Sequence, residues 1–109
     1  MSSIPIQIER VIRDYLEAIS KKIPIEKAIL FGSYAKGTFT KDSVIDLAIF
    51  SNVFTNDNRL DDFRLLFMEA MEFPVDLQPQ PFTKDDLINP EGIVKEIFKT
   101  GVEIKIMPS

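Results

Sequence analysis

Residues 28–50 read AILFGSYAKGTFTKDSVIDLAIF, and this stretch decides the fold. Two short apolar runs, 28–31 and 45–50, flank a polar segment punctuated by glycines. Apolar runs of this length, bounded by turn residues, predict buried strands. Residues 32–41 between them predict a turn or a short helical loop. The second run carries one acid, Asp46, among Ile, Leu and Ala. Strand alternation puts Val44, Asp46 and Ala48 on one face and Ile45, Leu47 and Ile49 on the other.

Upstream, Ile8, Val11, Ile12, Tyr15, Leu16 and Ile19 repeat at helical spacing, with Glu9, Arg10, Arg13, Asp14 and Glu17 around the rest. Glu9 with Arg13, and Glu17 with Lys21, add one-turn ion pairs, and Pro24 stops the helix. Downstream, a second long helix starts at Arg59, with Leu60, Phe63, Leu66, Phe67, Ala70 and Met71 on one face and Leu65 and Met68 off it. Residues 73–77 then predict a short third strand carrying Asp76, with Pro74 marking an edge or a strand start. The prolines of 78–81 break the chain. Thr83 to Asp86 forms a variant capping box. Asn89 and Pro90 open a last helix with Ile93, Val94, Ile97 and Phe98 inward, ending at Gly101. Val102, Ile104 and Ile106 alternate as a half-exposed final strand. The order is helix, strand, strand, helix, strand, helix, strand. It predicts an α/β (α+β) fold, a sheet of about four strands with flanking helices, formed by residues 1–109 as a single domain.

Composition narrows the chemistry. The chain has neither His nor Cys, which excludes Ser-His-Asp and Cys-His catalysis, Cys/His zinc sites, iron–sulfur clusters and disulfides. Carboxylates, Lys, Ser/Thr and Tyr remain, and a bound metal would be a hard cation such as magnesium. The net charge of −4 makes a poor non-specific nucleic-acid binder. Most of the acid excess falls in the C-terminal half. No apolar run approaches the roughly 20 residues of a membrane span, and no signal peptide opens the chain, so a cytoplasmic address is expected.

Three features could carry function. Gly32 lets backbone approach a ligand, and Ser33 beside it offers a hydroxyl to a phosphate; the bland alternative is a plain turn. Asp46 in an apolar strand is costly unless it meets solvent or a cation. Asp76 repeats the pattern on the third strand, where it could equally guard a sheet edge. Two acids beside a phosphate-type turn could together hold a divalent cation at a triphosphate. Lys36 could offset phosphate charge, or be simply solvated.

Phe31-Gly32-Ser33-Tyr34-Ala35-Lys36-Gly37-Thr38, followed by Asp42-Ser43-Val44-Ile45-Asp46-Leu47, closely resembles the minimal nucleotidyltransferases of the DNA polymerase beta superfamily. Their motif is Gly-Ser, a spacer, then Asp-x-Asp. Gly32, Ser33 and the spacer 34–43 fit, Asp46 matches the second Asp, and Asp76 looks like a third carried by a later strand. The resemblance implies the nucleotidyltransferase fold with a small mixed sheet. It implies ATP or another NTP held at Gly32, Ser33 and Lys36, and two magnesium ions on the carboxylates, with Asp46 and Asp76 as catalytic residues and metal ligands. It implies transfer of AMP onto a hydroxyl of a partner protein, by resemblance a HEPN-type toxin in a toxin–antitoxin pair.

One position departs. The first motif Asp should stand at 44, where this chain has Val. Asp42 is a weak substitute, since at about 3.3 Å per residue it lies some ~13 Å from Asp46 on an extended strand. The implied two-ion site is therefore impaired. The alternative expectation is a non-catalytic, antitoxin-like binding module on the same fold. It would make its contacts through Leu65, Met68 and the acidic C-terminal half, and self-association stays open.

Overall fold

A computed structural model describes residues 4–105. The elements are α1 (Ile6–Ser20), β1 (Lys27–Phe31), α2 (Ser33–Lys36), β2 (Ile45–Ser51), α3 (Arg59–Ala70), β3 (Leu77–Thr83), α4 (Lys84–Ile88), α5 (Ile93–Thr100) and β4 (Val102–Glu103). Four strands form one sheet in the order β3-β2-β1-β4. β1 runs antiparallel to both β2 and β4, and β2 runs parallel to β3. This is the expected small mixed sheet.

Both sheet faces are covered, which explains why β1 and β2 read as unbroken apolar runs. On one face Ile45, Leu47 and Ile49 pack with Ile12, Tyr15, Leu16 and Ile19 of α1 and Leu66 and Ala70 of α3. On the other, Ile29, Ala48 and Phe50 meet Phe82, Val94 and Ile97. Each such side chain contributes about 1.5–3 kcal/mol on burial. The alternation expected of β2 thus separates two cores, and Asp46 shares the phase of Ala48 and Phe50. No helix among the described residues is long and apolar enough to cross a membrane.

The third strand lies later than its sequence predicts. Residues 73–76 lead into β3, and the segment taken as a chain break lies inside the strand. Ile45 donates its N–H to the Asp76 carbonyl at 2.8 Å, which sets the phase of the parallel ladder. The N–H groups of 78, 80 and 82 then point to β2, while Pro79 and Pro81, whose rings are buried, stand where an N–H would point to the outer edge and no ladder bond is lost. The edge position inferred from Pro74 holds for this displaced strand.

Smaller differences follow from local capping. Thr83 and Asp86 form the predicted capping box, but Asn89 ends α4 and does not start the last helix. Gly92 precedes α5, and Ile93 is exposed, not inward. Leu60 and Met71 are exposed as well, so only Leu66 and Ala70 of the predicted α3 stripe are fully inward. β4 is two residues long, with Ile104 buried beyond it, and Ile106 lies outside the described residues.

The ion pairs Glu9–Arg13 and Glu17–Lys21 form at 3.2 and 3.8 Å. A buried polar link ties α1 to α3: the Tyr15 hydroxyl donates to the Leu66 carbonyl at 2.8 Å. Burial, with the Glu69 charge adding to it, pushes the Tyr15 hydroxyl above its usual pKa. Tyr15→Phe removes this second donor, and with it the buried link between α1 and α3, while the carbonyl keeps its bond within the helix. The substitution should cost about 1–2 kcal/mol in urea unfolding, and an unchanged midpoint would show that the link adds nothing.

Candidate active site

The end of β1 meets the start of β2, Phe31 opposite Asp46, and Gln78 of β3 lies opposite Asp46 on the other side. Gly32 follows Phe31 with φ +77° and ψ −152°, a conformation open essentially to glycine alone. A second constraint acts on the same residue. A Cβ on Gly32 would collide with the Asp46 carboxylate and stand 3.1 Å from its Cγ. Glycine here therefore serves both the sharp turn out of β1 and the close approach of the acid. Beyond it the chain enters α2: Lys36 N–H reaches the Gly32 carbonyl at 3.1 Å, and Gly37, at φ +77°, closes the turn. Ser33 is half-buried at the start of α2, and Lys36 is exposed at its end.

Asp76 stands just before β3. Its carbonyl takes the Ile45 N–H, and its Oδ1 accepts from Gln78 Nε2 at 3.0 Å. Its carboxylate is close enough to be felt at Asp46. Burial first, and then the Asp76 charge, push the Asp46 carboxyl above the usual carboxylate range. Gln78 is the site residue that sequence reading missed. Its signal was the register of a third strand read too early.

Val44 is half-buried two residues before Asp46. Asp42 is exposed in a turn in which the Thr40 N–H donates to Ser43 Oγ at 2.8 Å and the Asp42 N–H to Thr40 Oγ1 at 3.3 Å. It does not complete the carboxylate set. Among the described residues no group of three His, Cys, Asp or Glu side chains could hold a metal ion. Asp76 and Asp42 both line an open cleft of about 360 Å³, with Tyr34, Lys41, Ser43 and Pro74 around it. The Tyr34 ring stacks on Phe39 at 4.6 Å.

A family model described as a nucleotidyltransferase domain matches residues 12–107. The chain belongs to this nucleotidyltransferase family. A curated relative, named "Putative protein adenylyltransferase" and found in Methanocaldococcus jannaschii, is 43% identical over 47 residues. That match covers 41% of this chain and 47% of the relative, so the chain spans about half the length of the curated protein it matches. A crystal structure described as a "putative nucleotidyltransferase" from Sulfolobus solfataricus superposes with a TM-score of 0.67 at 17% identity. It covers 90% of this chain and 79% of its own, a likeness of fold.

The raised Asp46 gives this nucleotidyltransferase domain a pH signature. A carboxyl raised by folding supports stability in its protonated form. That support is present below the ordinary carboxylate pKa and is lost as pH rises through the raised value. Asp46→Asn removes the loss. Its melting temperature should match the parent near about pH 3 and exceed it near about pH 7. A difference that stays flat with pH would contradict the geometry.

Proposed function

We propose that this domain binds a nucleoside triphosphate, ATP in the first instance, at the corner formed by Gly32, Ser33, Asp46 and Asp76. We further propose that the corner is laid out for moving AMP onto a hydroxyl of a partner protein. The observation that carries this reading is the bare Gly32 backbone pressed against Asp46, with Asp76 alongside. Two supports stand beside it: membership of the nucleotidyltransferase family, and the relative's name, which specifies protein adenylylation.

Ser33 would donate to phosphate oxygens, and Lys36, on the same turn, would offset their charge. Asp76, exposed and oriented by Gln78, would take the proton of the acceptor hydroxyl. The acceptor oxygen then bonds to the α-phosphorus as the bond to pyrophosphate breaks. The residues present do not fit a two-ion magnesium centre. Asp46 and Asp76 are two carboxylates, Val44 stands where the superfamily pattern has a third, and among the described residues no third carboxylate, Asp42 included, joins them in a metal-binding group. Loss of one such ligand removes about 4 kcal/mol of transition-state stabilisation, roughly three decades of rate. We therefore read the chain as weakened or inactive in transfer.

The same Val44 favours a second reading, a non-catalytic module that works by contact with a protein partner. A HEPN-type toxin is the partner implied by resemblance for either reading.

Calorimetric titration with magnesium-ATP separates these cases without knowledge of the acceptor. Val44→Asp should bind at least tenfold more tightly than the parent. If neither chain binds nucleotide, the corner is not a nucleotide site and the module reading stands. Equal binding by both would clear Val44 of blame.

A further inference from the structure

Gln78 is a neighbour of both carboxylates of the corner. It lies opposite Asp46 in the parallel ladder, so the two side chains rise from the same face of the sheet, on strands about 4.8 Å apart. Asp76 precedes it by two residues, and the Asp76 Oδ1 accepts from Gln78 Nε2 at 3.0 Å. Val44 and Asp76 stand each one residue before the paired Ile45 and Leu77. Strand alternation carried one step back puts them on the same face as Asp46 and Gln78. The two acids thus occupy one diagonal of a four-residue patch, and two neutral side chains, Val44 and Gln78, occupy the other.

One oxygen of each carboxylate is already engaged within the chain. Asp46 turns Oδ2 onto the Gly32 backbone, so closely that a Cβ there would collide with it. Asp76 gives Oδ1 to Gln78. Phe31, opposite Asp46 on the other side, offers no oxygen, and among the described residues no third acid joins the pair. A cation of the magnesium kind is held by one or two carboxylates together with substrate phosphates and water. The oxygens left on Asp46 and Asp76 can serve one such ion. Two ions side by side need carboxylates that reach both, and this pair has none to spare.

We infer that Gln78 sets the cation count of this corner: its neutral amide keeps the site to a single divalent ion, carried in by the phosphates of the nucleotide. The inference rests on the nucleotide site proposed above. It goes beyond that site by giving a role to a position on the β3 ladder that the superfamily pattern does not contain. Gln78→Glu keeps the bulk of the side chain and puts a third carboxylate opposite Asp46 and beside Asp76. It also ends the donation to Asp76, since an ionised carboxylate has no proton to give. Gln80, the next residue on the same face of β3 and half-buried like Gln78, lies opposite Ala48, away from both acids.

Equilibrium dialysis of the full chain against manganese and the α,β-methylene analogue of ATP tests the inference, with metal and nucleotide counted separately. The parent should take up one manganese per bound nucleotide. Gln78→Glu should take up two, and Gln80→Glu, with the same added charge, should stay at one. In metal-free buffer Gln78→Glu should also melt below the parent, because three carboxylates then repel one another. Two ions on the parent overturn the inference, and that count is decisive whether or not a variant folds. So does a Gln78→Glu chain that melts cooperatively and still takes one ion, or a Gln80→Glu chain that takes two. A parent that takes up no nucleotide overturns the nucleotide site itself, and the separate counts keep the two failures apart.

Discussion

The site rests on one close approach, the Gly32 backbone against the Asp46 carboxylate. β1 has to leave the sheet where β2 brings an acid into the same layer, and only a residue without a side chain fits between them. The positive φ at Gly32 then turns the chain into α2, which Ser33 opens. Conformational freedom and close packing are required at the same residue. For that reason the corner is far more specific than a glycine in a turn. Asp76 arrives from the opposite strand, carried by the parallel pairing of β3 with β2 and oriented by Gln78.

Around this corner the sheet is closed off with care. Helices cover both faces, and the β3 edge has lost every outward N–H donor to proline or to a local bond. Leu60, Met68 and Met71 of α3 stay exposed, and a groove beside α3, lined by Phe67, Met71 and Phe73, reaches Asp76.

Much of this was legible in the sequence. The apolar periodicity of α1 and the unbroken runs of β1 and β2 are strong signals because burial on one stripe or on both faces forces them. Gly32, Ser33, Asp46 and Asp76 could be singled out from spacing, and the geometry brings Gly32, Asp46 and Asp76 together. The third strand was misplaced because prolines at 79 and 81 look like breakers; only the ladder phase shows both turned to the open edge. Gln78 was lost with it. The α3 stripe was read as one face because Leu60 and Met71 satisfy helical spacing as well as Leu66 does. Periodicity places residues on a face and does not say which part of the face meets the core.

The central claim is that the Gly32–Asp46–Asp76 corner holds nucleotide. Its most direct test is backbone amide NMR of Val44→Asp during titration with magnesium-ATP. The account predicts that the shifts concentrate at Gly32, Ser33, residues 45–47 and residues 76–78. Shifts confined to the grooves beside α3, or no shifts at millimolar nucleotide, would contradict it.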